Sequence, residues 1–131
     1  MSVEDEPDED DDTYWEESVE IYYNPKCSKC RQVLQLLRDR GIEPEIIEYL
    51  VDPPDQREME LLLERLEMEP REVMRTKEPA YKELGLNDAT LSRESLIRAM
   101  VENPILIERP IVVVGNRICI GRPPENVLKL L

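Results

Sequence analysis

The chain has 131 residues and a formal net charge of −13, with 30 acids against 17 bases and no histidine. That length suits one domain around one core, and so acidic a chain is a poor ligand for nucleic-acid phosphates. No apolar run approaches the roughly 20 residues that span a bilayer, and the start shows no basic-then-apolar signal peptide, so a cytoplasmic protein with no membrane and no nucleic-acid partner is expected.

The charge is unevenly spread. Residues 1–17 hold ten acids and no base, and the other twenty acids face seventeen bases, leaving −3 on the rest. A block of like charges repels itself and has nothing to bury, so residues 1–17 are expected to form a disordered acidic tail ahead of a domain over 18–131. Phe is absent and Trp15 is the only tryptophan, so Leu, Ile and Val must fill the core. The three cysteines, Cys27, Cys30 and Cys119, make an odd count. In a reducing compartment they do not read as a disulfide framework. With no histidine, a four-ligand zinc site would need a carboxylate or a second chain, so no metal is expected.

Val19–Tyr23 alternates and then turns apolar, as a buried strand does, and Asn24-Pro25 breaks it. From Ser28 to about Arg40, Val33, Leu34, Leu36 and Leu37 recur with helical spacing, and Gly41 is a natural stop. Residues 45–50 read as a second strand, closed by Pro53-Pro54. Strand, helix and strand in so short a span make a parallel βαβ unit with a right-handed crossover. A helical stretch follows. Met59, Leu61, Leu62, Leu63 and Leu66 form a stripe between Asp55 and Glu67, and Pro70 opens a short helix. Residues 79–85 form another, and Ser92 caps a helix to Glu102. Residues 110–114 are a buried strand by composition, and Gly115-Asn116 turns it tightly into Arg117–Ile120. Pro123-Pro124 opens a last helix with Val127, Leu128, Leu130 and Leu131 apolar. The sum is an α/β, thioredoxin-like fold: a mixed four-stranded sheet with a central helical insertion.

The chemistry concentrates at Cys27-Ser28-Lys29-Cys30, between a strand and a helix. A cysteine at a helix N-terminus meets unpaired N–H groups and the positive end of the dipole, so its thiolate is favoured. Lys26, Lys29 and Arg31 add positive charge nearby. Cys30 lies one helical turn on, within disulfide reach. In thioredoxin-like folds a cis-proline before the third strand faces the reactive cysteine, and Pro110 stands in that position. Cys119 reads as a buried small apolar residue.

Four stretches carry a more specific signal: Ile-Tyr-Tyr-Asn-Pro-Lys-Cys at 21–27, Met-Arg-Thr-Lys-Glu-Pro-Ala-Tyr-Lys-Glu-Leu-Gly-Leu at 74–86, Asn-Pro-Ile-Leu-Ile-Glu-Arg-Pro-Ile-Val-Val at 103–113 and Gly-Arg-Pro-Pro-Glu at 121–125. In this order they resemble the glutaredoxin-coupled arsenate reductase family over nearly all of residues 19–131. The resemblance implies that Cys27 attacks arsenate and that Arg75, Arg109 and Arg122 hold the oxyanion. Arginine suits that task, because its planar donors grip a compact anion at fixed angles and keep their charge.

Two positions depart from the family pattern. Cys30 stands where relatives using external glutathione often lack a cysteine, which suggests internal resolution of the intermediate. Tyr23 stands where a histidine often precedes Asn-Pro, which removes one tuner of the thiolate. The expected activity is thiol-dependent reduction of arsenate to arsenite by a monomer. It needs no bound cofactor, only an external reductant, either glutathione with glutaredoxin or thioredoxin. The alternatives are a redox-sensing regulator that binds RNA polymerase, known in the same superfamily, and a general thiol–disulfide oxidoreductase.

Overall fold

The computed structural model describes residues 18–131. The acidic segment 1–17, expected to be disordered, lies outside the described residues. The strands are β1 (Val19–Tyr22), β2 (Glu45–Ile47), β3 (Ile111–Val114) and β4 (Arg117–Ile120), in the order β2-β1-β3-β4. β1 pairs with β2 in parallel and with β3 antiparallel, and β3 pairs antiparallel with β4. The sheet is therefore mixed and four-stranded.

Helix α1 (Ser28–Asp39) makes the crossover from β1 to β2. The insertion between β2 and β3 comprises α2 (Gln56–Leu66), a 3-10 helix at Pro70–Val73, α3 (Pro79–Glu83), α4 (Arg93–Glu102) and a 3-10 turn at Pro104–Leu106. Alternation along the strands sends side chains to two cores. Ile21, Val112 and Val114 pack with Val33, Leu34 and Leu37 of α1 and with Val127 and Leu130. Tyr22, Ile111 and Val113 face the other way, onto Met59, Leu62, Leu63, Ile97 and Met100 of the insertion. The sheet is thus covered on both faces. Among the described residues no helix is long and apolar enough to cross a membrane.

The structure corrects the sequence reading in three places. The second strand ends at Ile47, not at residue 50, because β2 is an edge strand and its partner β1 ends at Tyr22, opposite Ile47. Past that point Tyr49 turns inward, 1% exposed, while Val51 is 81% exposed. The stripe on α2 is narrower than expected: Met59, Leu62 and Leu63 are buried, whereas Leu61 faces solvent. The last helix, Pro124–Leu130, winds as a 3-10 helix. Three residues per turn place Pro124, Val127 and Leu130 on one line, and all three are buried.

The helix starts have local causes. Ser92 accepts the Ser95 N–H as the N-cap of α4. Asp55 and Glu58 form a reciprocal capping box at α2, with Asp55 Oδ1 accepting the Glu58 N–H at 2.8 Å and Glu58 Oε1 accepting the Asp55 N–H at 2.9 Å.

Candidate active site

Cys27 is placed by a turn. Asn24 Oδ1 accepts the Lys26 N–H at 3.0 Å and the Asn24 carbonyl accepts the Cys27 N–H at 2.9 Å. An Asx turn of this kind lets a short polar side chain mimic backbone. Cys27 then becomes the N-cap of α1, with φ −93° and ψ 121°, and its carbonyl starts the helix by accepting the Arg31 N–H at 3.1 Å. It is 6% exposed and Cys30 is fully buried.

Burial pushes the Cys27 thiol up, but the opposing influences win and the net direction is down. They are hydrogen bonding from the Cys30 N–H and from the Cys30 thiol, the Arg109 charge, and the Lys29 N–H. The Arg109 charge comes from the segment before β3, the strand that pairs with β1, and so adds to the site a cation remote in sequence from Cys27. Cys30 behaves oppositely. Burial, its hydrogen bond to Cys27 and the Cys27 charge push it up to about 12, so it rests as a protonated donor. The two thiols are therefore pushed in opposite directions, Cys27 toward the thiolate and Cys30 toward the protonated donor.

Strand pairing brings in the arginines. Tyr22 at the end of β1 lies opposite Ile111 at the start of β3, so Arg109-Pro110 falls beside the Asn24–Cys27 turn. Ile111 also lies opposite Ile120, so Gly121-Arg122 runs past Pro110, and the Gly121 N–H donates to the Pro110 carbonyl at 2.8 Å. The Arg109–Pro110 and Arg122–Pro123 peptides are both cis. Gly121 permits this close passage. A Cβ there would sit 2.8 Å from Val33 Cγ2 and 3.0 Å from Pro110 Cγ. Arg75 arrives from the insertion. Met74 bridges to Ile107, the Arg75 N–H donates to the Leu106 carbonyl at 2.7 Å, and the Glu108 N–H donates to the Val73 carbonyl at 2.8 Å.

Arg75, Arg109 and Arg122 line one cleft of about 470 Å³, together with Thr76, Lys77, Glu78 and Glu108. Arg122 links this cleft to the thiol, because its Nη2 lies 3.7 Å from Cys27 Sγ while its Nε donates to the Arg109 carbonyl at 2.7 Å. Arg75 Nη1 pairs with Glu78 Oε2 at 2.7 Å. Glu108 Oε1 lies 3.2 Å from Arg122 Nε and 3.7 Å from Arg109 Nη1. Arg109 Nε is buried without a hydrogen-bond partner.

The site residues read from sequence, Cys27, Cys30, Arg75, Arg109, Pro110 and Arg122, thus come together. Sequence reasoning missed the two carboxylates, Glu78 and Glu108, and it missed Tyr49. The phenol of Tyr49 is buried within electrostatic range of both thiols, Arg75 and Arg109, and burial pushes it up to about 12. Only adjacency could have signalled the carboxylates: Glu108 precedes Arg109, and Glu78 lies three residues after Arg75. Cys119 is half-buried and lines a separate groove with Glu108 and Arg122 as its shared wall. Burial pushes its thiol up. Among the described residues no three His, Cys, Asp or Glu side chains gather as a metal site.

Comparison with known proteins agrees with this architecture. The ArsC family model matches residues 22–130. An uncharacterized protein of Escherichia coli K12, YfgD, is 54% identical over 114 residues, covering 86% of this chain and 96% of that protein. An arsenate reductase of Haemophilus influenzae is 45% identical over 115 residues, covering 87% and 99% of the two chains. Among solved structures, an arsenate reductase from Vibrio cholerae superposes with a TM-score of 0.86 at 51% identity, covering 88% of this chain and 98% of its own. With the family model matched over almost every described residue, and relatives this similar along nearly their whole length, the chain belongs to the ArsC family.

Proposed function

We propose that this protein reduces arsenate to arsenite, with Cys27 as nucleophile and Arg75, Arg109 and Arg122 as the oxyanion site. The observation that carries the reading is the convergence of three guanidiniums on one cleft, with Arg122 also reaching the sulfur of a cysteine held below its ordinary range. The Cys27 thiolate forms a sulfur–arsenic bond, and one arsenate oxygen leaves as water after protonation. The arginines offset repulsion between two anions and stabilise charge as it moves onto the departing oxygen.

A second thiolate then attacks the Cys27 sulfur. The sulfur–arsenic bond breaks with its electron pair going to arsenic, which leaves as arsenite, and the two sulfurs remain joined as a disulfide. Cys30 is the resident second thiol, since it lies in the first turn of α1 after the N-cap Cys27 and the two thiols influence each other's titration, and glutathione is the external one. Either disulfide is returned to thiols by glutaredoxin or thioredoxin. The protein acts as a cytoplasmic monomer, without a bound metal or organic cofactor. Reading it as a polymerase-binding redox switch or a general thiol–disulfide oxidoreductase leaves the arginine cleft without a task.

The test is arsenite formation from arsenate by the purified protein, supplied separately with glutathione plus glutaredoxin and with thioredoxin. Turnover with either reductant supports the reading. No arsenite above a protein-free control with both would overturn it.

A further inference from the structure

The cleft is not an open ring of cations. Four cationic residues line it, Arg75, Lys77, Arg109 and Arg122, against two carboxylates, Glu78 and Glu108. The lining carries a formal surplus of two positive charges, to be shared between an incoming oxyanion and the Cys27 thiolate beside Arg122. The carboxylates are not spread around the rim but sit on the arginines themselves: Glu78 on Arg75 at 2.7 Å, and Glu108 on both Arg122 and Arg109.

Glu108 meets both arginines by charge contacts and takes its hydrogen bond from backbone. A single oxygen, Oε1, carries its contact to Arg122 at 3.2 Å, its contact to Arg109 Nη1 at 3.7 Å and its hydrogen bond from the Arg109 backbone N–H at 3.2 Å. The Nε of Arg122 has one hydrogen, and that hydrogen goes to the Arg109 carbonyl at 2.7 Å. The Glu108–Arg122 contact is therefore a charge contact, and Arg122 keeps its aim at Cys27 when the carboxylate leaves. Arg109 Nε, buried and unpartnered, has a donor in reserve.

Building on the oxyanion reading, we infer that the Glu108 carboxylate is the resting occupant of the Arg109–Arg122 pair, displaced when an oxyanion binds. It acts through the arginines and is a positioning residue. Its presence offsets two guanidiniums that would otherwise face each other across an empty cleft, and it makes every incoming anion compete for them. It also gives the arginines a partner after reduction, because arsenite is neutral at physiological pH and no longer compensates their charge. The carboxylate then returns and the product loses its hold.

The test is calorimetric binding of inorganic phosphate, a tetrahedral anion that the thiols cannot reduce, at mildly alkaline pH and fixed ionic strength. Wild type is compared with Glu108→Gln, Glu108→Asp and Arg109→Ala. Glu108→Gln removes the competing charge at constant shape, and phosphate should tighten about fivefold, the scale of one part-exposed ion pair. Glu108→Asp keeps the charge but shortens its reach, so it should tighten phosphate as well. Perchlorate, tetrahedral with a single charge, should gain less than phosphate in Glu108→Gln.

Structural damage would weaken both anions, so the sign of the change separates occupancy from a scaffolding role. Tightening in Glu108→Gln with wild-type affinity in Glu108→Asp would mean a distant charge, and would overturn the inference. Unchanged or weaker binding in both Glu108 variants, with phosphate still lost in Arg109→Ala, would overturn it while leaving the oxyanion site standing. Phosphate binding that is absent from wild type, or indifferent to Arg109→Ala, would overturn the oxyanion site and the inference together.

Discussion

Gly121→Ala is the most informative single methyl group that can be added to this protein. The new Cβ would lie 2.8 Å from Val33 Cγ2 and 3.0 Å from Pro110 Cγ. The first contact is about 0.7 Å short of ordinary carbon–carbon separation. Val33 is fully buried on α1 and Pro110 begins the β3 segment, so neither can swing into solvent. The strain has to be relieved by separating the Gly121–Arg122 segment from α1 and Pro110, which carries Arg122 away from Cys27. Overpacking of this kind costs about 1–3 kcal/mol, or roughly 4 °C of Tm per kcal/mol in a domain this size. A shift approaching 1 Å between reacting groups costs up to about a hundredfold in rate, so kcat/KM for arsenate should fall roughly ten- to a hundredfold. Thermal unfolding and steady-state arsenite formation measure the two effects separately. Stability within about 0.5 kcal/mol of wild type together with wild-type kcat/KM would refute the reasoning, because the chain would have absorbed the methyl group without moving Arg122.

Arg75→Ala and Arg109→Ala should each lower kcat/KM by about tenfold to a hundredfold, the loss of one charge-assisted hydrogen bond, and unchanged kinetics in both would place the oxyanion elsewhere. Cys30→Ala removes the thiol hydrogen bond that helps hold Cys27 down. The pH profile of Cys27 alkylation should therefore move to higher pH, with less thiolate at neutrality, and an unmoved profile would mean the backbone N–H groups and Arg109 suffice alone. Because Cys30 rests protonated, a single turnover without glutathione should quicken as pH rises and leave two fewer alkylatable thiols. No loss of thiols in wild type would assign the second step to an external thiol. Asp55→Ala breaks the α2 capping box, so stability should drop by about 1 kcal/mol with arsenate kinetics intact. A matching loss of activity would show that the insertion and the cleft are coupled.

The elements legible in the sequence were those whose pattern is local. The apolar run Ile111–Val114, the turn at Gly115-Asn116 and the period of α1 each announce themselves within a few residues, and together with the βαβ unit they indicate a mixed four-stranded sheet, whose strand order only the structure supplies. Where the outcome depended on a partner, the pattern misled. Residues 48–50 have strand composition, but β1 offers nothing for them to pair with past Tyr22. The final segment has an apolar pattern that an α-helix would also satisfy, and its 3-10 winding follows from lining up Pro124, Val127 and Leu130 on the core. The same division holds in the site. Cys27 is marked by its place between a strand and a helix, and the arginines by the motifs around them. Glu78 and Glu108 are two acids among 30, and their nearness in sequence to Arg75 and Arg109 is the one local sign that they sit on cleft arginines. Gly121 gives no sign in the chain of what its missing Cβ would touch.

The central claim is that the Cys27 sulfur is the atom that meets the oxyanion. Cys27→Ser replaces it with a hydroxyl, a poor nucleophile at neutral pH, and leaves the arginine cleft in place. The decisive measurement follows arsenite production and phosphate binding side by side in wild type and Cys27→Ser. The account predicts that the variant retains phosphate binding and makes no arsenite above a protein-free control with any reductant. Substantial arsenite from Cys27→Ser would contradict it, and would move the reacting thiol to Cys30 or Cys119.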